Sequence, residues 1–259
     1  MWVIKRNLLL EAACGCALGY RRTENEDNFF FGGKYLPKEN KGLDQVLTSW
    51  IPLKGQICLA VFDGMGGEAY GEEAAWIAAE TLKNSIDQSN GARINLEMVC
   101  QEANRRICEQ ARRRCAGVEG ATVAILALDR RGIEAVNLGD SKIFLLRKGL
   151  FQKLSVDHTD QIFLDSQGIT KRKPRLTQHL GIEPEDMVIQ PNILRLRACL
   201  EDRFLLCSDG LTDMVSELTI KSILEKPWPM SRVVETLITK AMEAGGWDNT
   251  TVICCRLSR

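Results

Sequence analysis

The chain has 259 residues, of which 45% are hydrophobic, enough for a substantial core, and its 26% charged content is ordinary for a soluble protein. Lys+Arg 34 balances Asp+Glu 34, a formal net charge of +0, so no basic excess argues for nucleic acid or a membrane surface as partner. Ten cysteines without a Cys-x-x-Cys, beside two histidines, exclude zinc-finger spacing and read as reduced thiols of a cytoplasmic protein.

Met1 to Arg6 and then Leu8-Leu9-Leu10 have the outline of a secretion signal, but Glu11 cuts the apolar run short. No stretch approaches the length of a membrane span. Residues 8–18 read as a first strand. Cys14-Gly15-Cys16 within it is a candidate redox pair, outweighed by reading the cysteines as small buried hydrophobes. Residues 32–55 are polar and irregular, which predicts a long hairpin loop. A continuous apolar strand over 57–62 ends at Asp63.

Helical spacing of Ala, Trp, Ile and Leu predicts a helix over 68–86, with Ala74, Ala75, Ala78 and Ala79 permitting close packing. A second helix is expected over 96–115, its charged side (Glu102, Arg105, Arg106, Glu109, Arg112, Arg113) facing solvent. Strands follow at 122–128, 133–138 and 142–146. The turns between them are too short for parallel crossovers, so the pairing is antiparallel. A short helix over 160–168 precedes a basic, Pro-containing loop at 171–175. A strand at 203–208, helices over 215–224 and 231–244, and a closing strand at 250–256 complete the chain. Sheets covered by helices on their outer faces follow from this order, an α+β fold without internal repeat, read as one domain over 1–259.

Five acidic segments sit at or just beyond apolar runs: Asn25-Glu26-Asp27, Asp63-Gly64-Met65-Gly66-Gly67, Gly139-Asp140-Ser141, Ser208-Asp209-Gly210 and Trp247-Asp248-Asn249-Thr250-Thr251. Carboxylates delivered together at one rim make a site of hard oxygen ligands, suited to Mg²⁺ or Mn²⁺ rather than zinc. Their mutual repulsion calls for cations.

In order and spacing these segments resemble the metal-dependent protein phosphatases of the protein phosphatase 2C family, in its bacterial single-domain form. Gly19-x-x-Arg22-x-x-Asn25-Glu26-Asp27 and Val61-Phe62-Asp63-Gly64-Met65-Gly66-Gly67 carry the resemblance, with Gly120-Ala121-Thr122 and Asn137-Leu138-Gly139-Asp140-Ser141 after them. Leu154-Ser155-Val156-Asp157-His158-Thr159, Leu176-Thr177-Gln178-His179-Leu180-Gly181, Leu206-Cys207-Ser208-Asp209-Gly210-Leu211 and Asp248-Asn249-Thr250-Thr251-Val252 follow in the family's order. The resemblance implies a four-layer α-β-β-α sandwich of two antiparallel sheets flanked by helix pairs, with metals in a cleft at one end. It implies that Asp63 bridges two Mn²⁺ or Mg²⁺ ions and that the Gly64 carbonyl binds one of them. Asp209 and Asp248 would ligate the other, and Glu26 and Asp27 would hold metal-bound waters. Asp140, with Asp209, would bind a third, weaker ion. Arg22 would grip the substrate phosphate. The implied activity is hydrolysis of phosphoserine and phosphothreonine in proteins, by in-line attack of a hydroxide shared by two ions. The implied partners are phosphorylated proteins and a counterpart Ser/Thr kinase, with the chain a monomer and no nucleic acid or membrane involved.

Two positions depart from parts of the family. Met65 stands where eukaryotic members often carry a histidine, so the proton donor is expected to be a metal-bound water near Asp140 rather than His158 or His179. The segment between the two histidine motifs, the flap, is short, and Lys171, Arg172, Lys173 and Arg175 crowd it. Those four are expected in solvent; bordering the cleft, they would favour acidic substrates. A non-catalytic member is disfavoured because Asp63, Asp209 and Asp248 are all present, and a nuclease because no aromatic-studded basic groove is visible.

Overall fold

The computed structural model describes residues 8–65, 70–114, 119–169 and 172–259. Two six-stranded sheets face each other. The first has the order β3 (Leu47–Pro52), β1 (Leu9–Ala17), β12 (Thr250–Ser258), β11 (Arg203–Cys207), β8 (Lys142–Arg147) and β9 (Leu150–Lys153). The second has the order β10 (Asn192–Leu196), β7 (Gly132–Leu138), β6 (Val123–Asp129), β4 (Ile57–Met65) and β2 (Asp27–Phe30), with β5 (Gly120–Ala121) paired to the end of β4. Every pairing is antiparallel, as the short turns required.

Because strand side chains alternate sides, the apolar runs serve two cores at once. Leu59 and Val61 of β4 meet Phe29, Leu126, Phe204 and Ile253 between the sheets. Ala60 and Phe62 turn outward against α1 (Gly71–Gln88) and α2 (Leu96–Arg114), where Ala74, Ala75 and Ala78 let α1 lie close on the sheet. On the far side, Val252 and Cys254 of β12 meet α5 (Glu217–Leu224) and α6 (Met230–Glu243), with the single turn α4 (Asp209–Thr212) at the head of that layer. Three apolar interfaces thus separate four layers, helices, sheet, sheet, helices. The isolated α3 (Gln161–Ser166) lies in the flap. Among the described residues no helix is long and apolar enough to cross a membrane.

Several expectations are corrected. Residues 32–55 are not a hairpin loop: they carry the chain from β2 in one sheet to β3 in the other, and β3 pairs with β1. It is an edge strand with alternate residues half-buried and exposed, so it lacks an apolar run, and its edge position tolerates Pro52. The four-residue β2 and the half-exposed edge strands β9 and β10 also lack the continuous apolar signature. β4 does not end at Asp63 but continues to Met65, because β5 pairs with Gly64 and Met65. Residues 66–69, with Gly66, Gly67 and the expected start of the first helix, lie outside the described residues, as do Met1 to Arg6, Cys115 and Lys171.

The nine described cysteines form no disulfide, and all but the half-buried Cys199 are buried. Cys14 and Cys16 point together into the inter-sheet core, where burial pushes the Cys16 thiol up to about 12. A thiol so held is protonated and unreactive, which removes the redox reading of Cys14-Gly15-Cys16. Glu11 is buried as well, paired with Arg256 at 2.7 Å and accepting the Met230 N–H at 2.9 Å.

Candidate active site

Five elements deliver acidic groups to one end of the sandwich. Asp63 comes from β4, and Asp27 stands opposite it on β2. Asp140 occupies the turn after β7, Asp209 opens α4 directly after β11, and Asp248 immediately precedes β12. The two sheets contribute from facing rims, so the carboxylates surround a cleft of about 940 Å³. Every predicted site residue except Asp27 lines it.

Asp27 lies behind the cleft floor, 2% exposed, its Oδ2 accepting the Ser208 hydroxyl at 2.7 Å. Burial pushes its carboxyl upward, and the charges of Asp209 and Asp248 add to that. Asp63 sits on the floor, densely surrounded by protein yet open to the cleft on one edge. Its N–H donates to Thr122 Oγ1 at 3.2 Å, and its carbonyl accepts the Thr122 N–H at 2.8 Å. Thr122 Oγ1 is in turn 2.6 Å from Ser141 Oγ, tying β4 to the Asp140 turn. Burial drives the Asp63 carboxyl well above its ordinary value, and Asp209, Asp27, Asp140 and Asp248 all push the same way. Burial and Asp209 also raise Asp140 to about 6, against the pull of Lys142 and Lys173.

Backbone contacts fix the walls. A Cβ on Gly64 would stand 2.1 Å from the Gly71 carbonyl oxygen and 2.6 Å from that of Glu26, so only glycine permits this approach. Gly19 has φ +82°, and a Cβ there would meet the Asp248 carbonyl at 2.5 Å. Asn249, named in the sequence only as part of a motif, clamps the segment bearing Arg22 and Glu26. Its Oδ1 accepts the Glu26 N–H at 2.8 Å, and its Nδ2 donates to the carbonyls of Leu18 at 2.8 Å and Glu24 at 3.0 Å.

Two cations of the chain lie against this anionic surface. Arg22 pairs with Asp248, Nε to Oδ1 at 2.9 Å and Nη2 to Oδ2 at 2.9 Å, and reaches Glu26 at 3.4 Å. Lys173, from the loop expected in solvent, donates to Asp209 Oδ2 at 2.7 Å and lies 2.9 Å from Asp213. Arg175 also lines the cleft, whereas Arg172 is tied to Asp160. Of that basic loop Lys173 and Arg175 therefore border the cleft, and the expectation of a purely solvated loop is corrected. Neither His158, whose Nδ1 accepts the Gly139 N–H at 3.1 Å, nor His179, 2.8 Å from the Leu180 carbonyl, lines the cleft.

Among the described residues no three Asp, Glu, His or Cys side chains converge closely enough to hold one ion by themselves. The donor set nevertheless fits hard divalent cations. It consists of oxygens alone, its charges repel one another, and ions such as Mg²⁺ keep several waters rather than needing an all-protein cage. Burial first and the neighbouring carboxylates second hold Asp63 and Asp140 above their ordinary range, and a bound cation would offset both.

The family model for protein phosphatase 2C matches residues 41–244. The chain is 30% identical over 230 residues to the serine/threonine protein phosphatase PstP of Mycobacterium tuberculosis, an alignment covering 85% of this chain and 44% of that protein. It thus spans under half the length of that relative. It is 28% identical over 251 residues to the serine/threonine phosphatase stp of Listeria monocytogenes, covering 91% of each. Among solved structures, the catalytic domain of serine/threonine protein phosphatase PstP in complex with two manganese ions superimposes with a TM-score of 0.78 at 26% identity, covering 97% of this chain and 100% of that one.

Proposed function

The chain belongs to the protein phosphatase 2C family, and from that premise we propose that it is a metal-dependent phosphatase acting on phosphoserine and phosphothreonine in proteins. The observation that carries the reading is the convergence of Asp63, Asp140, Asp209 and Asp248 on one cleft beside Arg22. Asp63, Asp209, Asp248 and the Gly64 carbonyl are the residues to hold two Mn²⁺ or Mg²⁺ ions. Glu26 and Asp27 would orient their waters, and Asp140 with Asp209 would serve a third, weaker ion. Bound there, the ions supply charge neutralisation and activation of a water as nucleophile.

The protein's own groups do the rest. Arg22 offers a planar fork of donors at the cleft mouth, matched to phosphate oxygens and to the charge that builds in the transition state. Its position is set by Asp248 and by the Asn249 clamp. Ser208 and Thr122 hold the acidic floor in register, which keeps the reactants aligned. Met65 cannot donate a proton and both histidines are turned elsewhere, so the proton for the leaving alcohol comes from water in the cleft near Asp140. Lys173 and Arg175 at the rim favour phosphopeptides with acidic neighbours. Such an enzyme is the counterpart of a Ser/Thr kinase and acts as one domain in the cytoplasm.

The test is a substrate panel with Mn²⁺. Phosphoserine and phosphothreonine peptides should be turned over, and nucleoside triphosphates and DNA should not. Preferential hydrolysis of a nucleotide or of DNA would overturn the reading.

A further inference from the structure

At the end of the sandwich opposite the cleft, four arginines from three separate segments of the chain surround one hollow of about 310 Å³: Arg93 from the α1–α2 connection, Arg131 from the β6–β7 turn, and Arg195 and Arg197 from the end of β10 and just beyond. No carboxylate lines it. Beneath it lies Glu134, 5% exposed, which takes Arg93 on one oxygen at 2.5 Å and Arg195 on the other at 2.9 Å. Asp129 is 3.6 Å from Arg93. A buried carboxylate needs a partner, and here it fixes two guanidiniums at once beside the hollow, that of Arg195 largely exposed. Among the described residues neither Arg131 nor Arg197 forms an ion pair, and Lys54 and Arg130 flank an adjoining hollow.

Like charges gathered around a hollow repel, and nothing in the core demands them there, since both Arg131 and Arg197 are exposed. The arrangement suits a group with several anionic oxygens. Guanidinium forks match a phosphoryl dianion bidentately, better than a single carboxylate. The hollow also adjoins β10, the terminal strand of its sheet, whose outer edge has no strand partner among the described residues. An unpaired edge accepts an extended peptide by strand addition. We propose that this arginine-lined hollow docks a phosphorylated, acidic segment of a protein, laid along β10 with its phosphoryl group among Arg131, Arg195 and Arg197. The seven residues of β7 separate the hollow from the Asp140 turn, a span of about 20 Å. The site therefore holds a different residue of the partner from the one in the cleft.

The test is fluorescence anisotropy of a labelled acidic phosphoserine peptide with the full chain in excess chelator, which reads binding whether or not the cleft is catalytic. R131Q/R195Q/R197Q should weaken binding about tenfold or more, and the unphosphorylated peptide should bind wild type about as weakly as the phosphopeptide binds the variant. Turnover of a small aryl phosphate with Mn²⁺ should be unchanged, since none of the three residues lines the cleft. Equal affinity for wild type and the triple variant places the peptide elsewhere and overturns the proposal. Displacement of the peptide by an equal concentration of inorganic phosphate makes the hollow a free-anion site and overturns it too. Independently of any variant, peptide binding to wild type should slow amide exchange in Asn192–Leu196, and unchanged exchange there contradicts the docking.

Discussion

Arg22 donates Nη2 to Asp248 Oδ2 at 2.9 Å with its Nε 2.9 Å from Oδ1, so the side chain assigned to the substrate phosphate rests on a carboxylate assigned to a cation. The same fork cannot serve Asp248 and a phosphate in full. Arg22→Gln should lower kcat/KM on phosphopeptides by about 10²–10³-fold, the scale of losing one charge-stabilising donor. Mn²⁺ affinity, read by calorimetry, should stay the same or tighten, because Asp248 is released from its partner. Weaker Mn²⁺ binding in Arg22→Gln would show that the pair holds the metal ligand in place instead.

Lys173 presents the parallel case at Asp209 and Asp213. Lys173→Gln removes a tethered cation from the cleft and should tighten Mn²⁺ binding severalfold, about the worth of a partly exposed ion pair. KM for acidic phosphopeptides should rise while that for an aryl phosphate does not. An equal change for both substrates would deny the loop a part in selectivity.

The Gly64 contact admits no side chain. Gly64→Ala forces the strand away from Gly71 or Glu26, and should cost about 2–3 kcal/mol in urea unfolding with near-complete loss of activity. Wild-type stability in that variant would mean the turn relaxes freely.

Asp140 couples the cleft to pH. Its folded value of about 6 lies above the ordinary 3.8, so protonation favours the folded, chelated protein. That contribution is complete below about pH 4 and is lost as pH rises through about 6. In thermal melts with chelator, Asp140→Asn should flatten the decline in Tm over this window. Mn²⁺ must displace those protons, so its stabilising effect should grow from pH 5 to pH 8. An Mn²⁺ effect independent of pH would argue against carboxylate ligation.

Much of the site was legible because its carboxylates stand where long apolar runs stop and turn residues begin, as at Leu206-Cys207-Ser208-Asp209-Gly210. The central strands β4, β6 and β12 were legible for the same reason, being buried on both faces. The edges β3, β9 and β10 were not, since a half-exposed strand offers only weak alternation. Asp27 looked equivalent to Glu26 in sequence. Its pairing opposite Asp63 and its bond to Ser208 set it behind the floor instead. Within the basic flap loop, Lys173 and Arg172 were indistinguishable until the fold brought one to Asp209 and the other to Asp160. The four arginines of the remote hollow come from three separate segments, and no local pattern announced them.

The central claim is that these carboxylates act through bound divalent cations. It is tested most directly by initial rates on a phosphothreonine peptide with Mn²⁺, with excess chelator, and with Mn²⁺ restored, for wild type and Asp209→Asn. Activity should vanish on chelation, return with Mn²⁺ in wild type, and stay at least about 10²-fold lower in Asp209→Asn. Turnover that persists in chelator, or an Asp209→Asn variant as active as wild type, would contradict it.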